Sequence, residues 1–126
     1  MYSVLVADEE ITVYKELADC IGENDMMKLT HCTSVNDLVE GYGNENSPDL
    51  ILLDAAFGGG KAYAIAAYLK AKFIQKPTIV IMPYFGMTPL TLAVLSGCDE
   101  VICKPAPLAD LLAVMNKWSQ RAKDRV

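Results

Sequence analysis

The stretch Pro48-Asp49-Leu50-Ile51-Leu52-Leu53-Asp54 decides the fold class. Its central residues are all apolar, a proline precedes them and a carboxylate follows them. A strand of that composition is typical of a parallel sheet that is covered by helices on both faces. A strand with one solvent-exposed face instead alternates apolar and polar residues. The stretch therefore predicts a central strand of an α/β domain.

The same pattern recurs on both sides of this strand. Short runs rich in β-branched residues alternate with longer segments whose apolar residues have helical spacing. The predicted strands are Ser3–Ala7, Leu29–Thr33, Leu50–Leu53, Thr78–Met82 and Glu100–Cys103. The predicted helices begin near Glu10, at Ser34, after the loop Ala55–Gly60, at Thr88-Pro89 and at Leu108. Right-handed crossovers between the strands give a doubly wound α/β domain, and a mixed sheet is the alternative.

Length and charge exclude several classes of function. The chain has 126 residues, which predicts one domain over 1–126, and its net charge is −5 with a pI near 4.7. An acidic domain is not expected to bind DNA or RNA directly, because such binding depends on neutralising phosphates, and it is not expected on an anionic membrane. No apolar run approaches the roughly 20 residues of a membrane span, and no secretory signal is visible.

The cysteines predict a reducing compartment. The chain has four of them, without a Cys-x-x-Cys motif, and its single histidine, His31, has no ligand-like spacing to a cysteine pair. This usage is typical of reduced, buried thiols in a cytoplasmic protein and disfavours a zinc site.

Charged residues stand where the predicted strands end. Asp8 and Glu9 follow the first strand, Asp54 ends the third, and Lys104 follows the fifth. Ligands of an open α/β sheet bind outside the carboxyl ends of its strands, so these residues are the candidate site. Three carboxylates that meet there repel one another unless a cation or a proton offsets their charge, and hard oxygen ligands suit Mg²⁺ or Mn²⁺. Singly, Asp8 also fits a helix cap and Asp54 a solvated strand end.

Three motifs in order resemble the receiver domain of two-component response regulators. They are Val4-Leu5-Val6-Ala7-Asp8-Glu9-Glu10, Pro48-Asp49-Leu50-Ile51-Leu52-Leu53-Asp54 and Ser96-Gly97-Cys98-Asp99-Glu100-Val101-Ile102-Cys103-Lys104-Pro105. The resemblance extends over essentially the whole chain. It implies a flavodoxin-like, doubly wound parallel sheet of strand order 2-1-3-4-5 flanked by five helices, and a cis peptide bond before Pro105.

The resemblance also implies a role for each residue at the strand ends. Asp54 is expected to accept a phosphoryl group, and Lys104 to contact the phosphoryl oxygens. Asp8 and Glu9, together with Asp54 and the backbone carbonyl of Ala56, are expected to bind Mg²⁺. This chemistry suits the residues themselves, because a carboxylate can attack a phosphoryl group while a metal ion and an ammonium offset the developing charge.

The end of the fourth strand departs from the family pattern. The family has Thr or Ser followed by a small residue, and this chain has Met82 followed by Pro83. Met82 has no hydroxyl and Pro83 has no backbone N–H, so two donors toward a phosphoryl group are missing. Each charge-assisted hydrogen bond is worth roughly 1.5–3 kcal/mol, which predicts a less favoured phosphorylated state. Val101 stands at the family's switch aromatic, so coupling to the partner surface is also expected to differ.

The leading hypothesis is a phosphoacceptor receiver. It would take a phosphoryl group on Asp54 from a histidine kinase or phosphotransfer protein, with Mg²⁺, and switch a protein–protein surface. It would be no enzyme beyond catalysing its own phosphorylation and dephosphorylation. The resemblance allows a homodimer through the fourth helix, fifth strand and fifth helix. The sequence fits equally a stand-alone receiver and the N-terminal part of a regulator whose output domain binds DNA.

Two other functions stay open. The first is a degenerate pseudo-receiver, a phosphorylation-independent interaction or dimerisation module, which Met82, Pro83 and Val101 favour. The second is a flavin or nucleotide binder of flavodoxin-like fold. That function needs phosphate-binding amides and a neutral or positive rim after the first strand, where this chain has Asp8 and Glu9.

Overall fold

The computed structural model describes residues 1–23, 26–41, 47–72, 77–84 and 90–124. Within them the strands are β1 (Tyr2–Ala7), β2 (Met27–Cys32), β3 (Leu50–Asp54), β4 (Thr78–Met82) and β5 (Glu100–Val101). The helices are α1 (Thr12–Ile21), α2 (Val35–Gly41), the one-turn α3 (Phe57–Gly60), α4 (Ala62–Lys72), α5 (Leu90–Ser96) and α6 (Leu108–Asp124). All strand pairs are parallel, in the order β2-β1-β3-β4-β5, which confirms the predicted fold class.

Both faces of the sheet are buried, as the apolar β3 predicts. Alternate strand residues point to opposite faces. One face packs against α1 and α6 through a cluster of Val4, Val6, Leu17, Leu50, Leu52, Val80, Met82, Leu111 and Met115. The other packs against α2, α3 and α4 through Ala7, Leu38, Ile51, Leu53, Phe57, Ala62, Ile65, Ala66, Leu69, Ile79 and Ile81. Burial of these clusters is the main force that holds the layers together.

The helix starts follow local hydrogen bonding. The predicted start of α2 is confirmed, because the Ser34 hydroxyl accepts the backbone N–H of Asp37 at 3.1 Å. The predicted start of α1 near Glu10 is wrong, since α1 begins at Thr12. The N–H of Glu10 instead donates to Oδ1 of Asp8 at 2.9 Å, a turn that precedes the helix. The predicted helix start at Thr88-Pro89 lies outside the described residues.

The last strand is shorter than predicted. The structure ends β5 at Val101 rather than at Cys103, and Lys104 is joined to Tyr84 only by an isolated bridge. Proline has no N–H to donate to a ladder. Pairing between β4 and β5 is therefore interrupted at Pro83, although the carbonyl of Pro83 accepts the N–H of Lys104 at 2.6 Å.

The predicted loop Ala55–Gly60 instead contains the one-turn α3, so the described residues form six helices rather than the predicted five. This short helix includes a left-handed turn. Gly58, Gly59 and Gly60 in α3 have φ values of 66°, 70° and 88°. A Cβ on Gly58 would lie 2.7 Å from Cγ2 of Val35, so this position also needs the absence of a side chain. The turn lets the chain leave β3 and enter α4 within a few residues.

The cysteines are free in the described structure, but the prediction that they are all buried is wrong. Cys20 and Cys103 are exposed, and Cys32 and Cys98 are half-buried. Burial, followed by the nearby charge of Asp37, raises the pKa of Cys32 to about 11, which keeps this thiol protonated. No helix among the described residues is long and apolar enough to cross a membrane.

Candidate functional site

Strand alternation places the candidate residues on one side of the sheet. Asp8 follows Val4 and Val6 on the face covered by α1 and α6, and Asp54 follows Leu50 and Leu52 on the same face. The register of β1 and β3 pairs Ala7 with Leu53, so the next residues, Asp8 and Asp54, stand side by side. The carboxyl ends of parallel strands meet at one edge, and these carboxylates therefore lie together there.

Lys104 joins the two carboxylates. Its Nζ lies 2.8 Å from Oδ2 of Asp8 and 2.9 Å from Oδ1 of Asp54. The three side chains are mostly buried, with exposed fractions of 12% for Lys104, 3% for Asp8 and 9% for Asp54. The structure thus brings together residues that are 46 or more positions apart in the chain, as the sequence predicts.

The charges of this cluster do not cancel. Burial disfavours the charged form of Lys104, but its contacts with Asp8 and Asp54 outweigh that effect and raise the pKa of Lys104 above its ordinary 10.5. The ammonium therefore stays charged at physiological pH. One positive charge faces two carboxylates, which leaves the cluster able to accept a further cation.

Both carboxylate oxygens of Asp54 have one close partner among the described residues. Its Oδ2 accepts the backbone N–H of Ala56 at 3.2 Å. Its Oδ1 is buried and lies 2.9 Å from the ammonium of Lys104. A carboxylate oxygen has more than one lone pair, so an oxygen with a single partner can still form a bond or bind a cation.

The donor set fits a magnesium ion that keeps much of its water. Mg²⁺ is usually held by one or two carboxylates and retains several waters. Asp8 and Asp54 supply those carboxylates, while Glu9 is exposed and forms no hydrogen bond or ion pair with the described residues. The carbonyl of Ala56 accepts the N–H of Gly60 at 3.2 Å and has a second lone pair. No set of three or more His, Cys, Asp or Glu side chains in the described part of the chain is arranged as a metal cage.

The end of β4 is apolar, as the sequence predicts. Met82 pairs with Asp54 across the sheet and is fully buried. Pro83 is buried next to it, and Val101 pairs with Ile81 in the neighbouring ladder. The register is regular, and therefore the side chain of Met82 and the backbone nitrogen of Pro83 contribute no hydrogen-bond donor beside Asp54.

Two aromatic side chains outside the predicted site residues lie near the site. The ring of Tyr84, which is 51% exposed, has its centroid 5.8 Å from Nζ of Lys104. Nε2 of His31 lies 2.9 Å from the carbonyl oxygen of Asp8, and the imidazole stacks on Tyr14 with ring centroids 5.2 Å apart. In the sequence His31 has no ligand-like spacing, and no spacing rule points from β2 to the turn after β1.

Comparisons with solved structures show that the chain has the receiver-domain fold. A response regulator receiver domain protein from Clostridium thermocellum matches with a TM-score of 0.78 and 24% identity over 100% of both chains. The receiver domain of Francisella response regulator 1452 matches with a TM-score of 0.79 and 20% identity over 97% of this chain and 99% of its own.

A longer protein matches equally well. The response regulator DrrB of Thermotoga maritima, an OmpR/PhoB homologue, has a TM-score of 0.79 and 15% identity. The match covers 97% of this chain but 54% of DrrB, so the chain spans about half of that regulator. No family model matches the sequence, and no curated protein does. The chain thus has the fold of a response regulator receiver domain, as its motifs predicted.

Proposed function

We propose that the chain is a phosphoacceptor receiver of a two-component signalling system. The observation that supports this most directly is the buried cluster of Asp8, Asp54 and Lys104, in which the Lys104 ammonium lies within 2.9 Å of a carboxylate oxygen of each aspartate. A phosphohistidine of a histidine kinase or phosphotransfer protein would be the donor. We infer a cytoplasmic location, where such a donor would reach it.

The chemistry follows from the residues. A carboxylate oxygen of Asp54 attacks phosphorus, an acyl phosphate bond forms, and the bond from phosphorus to the donor nitrogen breaks. Lys104, already within 2.9 Å of Asp54, would pair with a phosphoryl oxygen. Mg²⁺ held by Asp8 and Asp54, with Glu9 and the carbonyl of Ala56 nearby, would offset phosphoryl charge. The protein would act only on its own phosphorylation state.

Acetyl phosphate with Mg²⁺ tests this proposal. Intact-mass measurement is expected to show one phosphoryl group on the wild type and none on Asp54→Asn. Asp49→Asn is the matched control, because Asp49 lies at the opposite end of β3 and accepts the N–H of Ser3 at 2.8 Å. Absence of the adduct from the wild type, or its persistence in Asp54→Asn, would refute the proposal.

A second candidate is a phosphorylation-independent interaction module. The buried Met82 beside Asp54, followed by Pro83, favours it, because the Met82 side chain and the Pro83 backbone have no donor for a phosphoryl group. If this module is the function, Asp54→Asn leaves partner binding unchanged. If phosphorylation is the function, Asp54→Asn weakens partner binding, and Met82→Thr with Pro83→Ala strengthens the response to beryllofluoride.

We also propose a homodimer through α5, β5 and α6. The described side chains of α5 include no charged residue, and Leu92, Val94 and Leu95 are 46%, 78% and 73% exposed. Exposed apolar side chains that lie together on a surface are a common feature of association surfaces. Val94→Lys is expected to weaken self-association in sedimentation experiments. Val39→Lys, at an exposed valine of α2, is the control that should leave self-association unchanged.

The solved structures fit two lengths of the whole protein. The match to half of DrrB fits the N-terminal part of a longer regulator with a DNA-binding output domain, and the match over all of the Clostridium thermocellum chain fits a stand-alone receiver. An acidic receiver would then contribute regulation rather than DNA contacts.

A further inference from the structure

Each backbone and side-chain polar atom of Asp8 has a hydrogen-bond or ion-pair partner. Its N–H donates to the carbonyl of Cys32 at 3.2 Å, and its Oδ1 accepts the N–H of Glu10 at 2.9 Å. Its Oδ2 contacts Lys104 at 2.8 Å. The fourth contact is at the main-chain carbonyl, where Nε2 of His31 lies 2.9 Å from the oxygen. A carbonyl only accepts, so Nε2 of His31 carries the hydrogen.

The contact from His31 replaces a backbone hydrogen bond that the ladder between β1 and β2 does not form. The ladder between β1 and β2 ends with the bond from Asp8 to Cys32, and β2 itself ends at Cys32. If the ladder continued, its next hydrogen bond would run from the N–H of Ser34 to the carbonyl of Asp8. Ser34 instead leaves the sheet and caps α2. Without the imidazole, this carbonyl would lose its partner among the described residues.

The imidazole is itself held in place. His31 pairs with Val6 in the sheet, so its side chain projects toward α1 on the face that carries Asp8. Tyr14 of α1 stacks on it at an interplanar angle of 17°. The bond to Asp8 requires only a hydrogen on Nε2, which both the imidazolium and one neutral tautomer carry.

We propose that His31 is a positioning residue for the divalent-cation site. By binding the carbonyl of Asp8, it sets the plane of the peptide bond that joins Asp8 to Glu9. That plane determines where the Asp8 carboxylate and the start of Glu9 stand relative to Asp54. This inference rests on the proposed function, in which those carboxylates bind Mg²⁺. Groups that orient metal ligands commonly change metal affinity 10- to 100-fold when removed.

Two substitutions separate the hydrogen bond from the packing. His31→Phe keeps a ring for the stack on Tyr14 but has no donor. His31→Gln keeps an N–H donor but loses the ring. Mg²⁺ alone is titrated into the ¹⁵N-labelled full chain, and the backbone amides of residues 8 to 10 report binding. We expect His31→Phe to weaken Mg²⁺ binding about 10-fold, and His31→Gln to recover most of that loss.

The wild-type imidazole provides an independent measurement. Its Nε2–H is expected to give a signal that exchanges slowly with water and shifts when Mg²⁺ binds, and a rapidly exchanging signal would overturn the inference even if a variant failed to fold. Unaltered Mg²⁺ affinity in His31→Phe, or equal loss in both variants, would also overturn it, as would a wild type that binds no Mg²⁺.

The two proposals fail in different ways. A wild type that forms the acyl phosphate, with unaltered Mg²⁺ binding in His31→Phe, removes only the role of His31. Conversely, a wild type that binds Mg²⁺ in a His31-dependent manner but forms no acyl phosphate at Asp54 removes only the phosphoacceptor function.

Discussion

Lys104→Met removes the ammonium that Asp8 and Asp54 share and keeps a side chain of similar size. The wild-type contacts of 2.8 and 2.9 Å each correspond to roughly 6 kcal/mol of Coulomb attraction at an effective dielectric constant of about 20. The same contacts limit the separation of the two carboxylate oxygens to about 5.7 Å, where their repulsion is about 3 kcal/mol. The desolvation cost of Lys104 offsets much of the attraction.

The expected loss in the free energy of unfolding is therefore about 3–5 kcal/mol, the usual cost of leaving a buried charge without its partner. A domain of this size is stable by about 5–15 kcal/mol, so urea denaturation should resolve the change readily. Millimolar Mg²⁺ is expected to restore part of the loss, because the divalent ion can replace the missing positive charge.

Two further variants make the measurement specific. Lys70→Met removes a more exposed lysine, which pairs with Asp99, and should cost no more than about 1 kcal/mol. In a double-mutant cycle, Lys104→Met combined with Asp54→Asn should cost less than the two single changes added together, since the second change removes one of the unpaired carboxylates. A loss below about 1 kcal/mol for Lys104→Met, with no response to Mg²⁺, would refute the reasoning.

Three other outcomes are expected. The pKa of Lys104 is raised above 10.5 in the folded protein. The contribution of Lys104 to stability is therefore complete below pH 10.5 and is lost as the pH rises through the pKa of the folded protein. Alkaline denaturation of Lys104→Met should lack this loss. Because burial raises the pKa of Cys32 to about 11, iodoacetamide near neutral pH should modify the exposed Cys103 well before Cys32, as peptide mapping would show. Gly59→Ala should lower the free energy of unfolding by about 1–2 kcal/mol, because of its positive φ alone. Gly58→Ala should lower it further, since the new Cβ would also clash with a neighbouring side chain. Equal melting temperatures for the two variants would contradict this.

The order of elements and the composition of the site could be predicted from the sequence. The apolar β3 indicates a strand buried on both faces, and the helical spacing between strands indicates crossovers, which together imply parallel pairing. Asp8, Asp54 and Lys104 each lie at or just after the end of a strand, so parallel pairing alone is enough to bring them to one edge. The apolar end of β4 at Met82 and Pro83 follows equally from residue identity.

Other features depend on contacts between segments that are distant in sequence. The bond from His31 to Asp8 forms because β2 ends before Ser34 can donate its N–H to the carbonyl of Asp8. The length of a strand depends on the strands and helices next to it. The same is true of β5, which ends at Val101 because Pro83 of the adjacent segment cannot donate to it.

The sequence by itself determined the layered α/β architecture and the chemical type of the candidate site, because hydrophobic periodicity and residue identity are local properties of the chain. Only the tertiary structure decided that one ammonium is shared by both carboxylates, that Oδ1 of Asp54 is buried beside it, and that Cys20 and Cys103 are exposed. The reason is that distances, burial and hydrogen-bond satisfaction depend on the side chains that packing brings together, and spacing along the chain does not encode them.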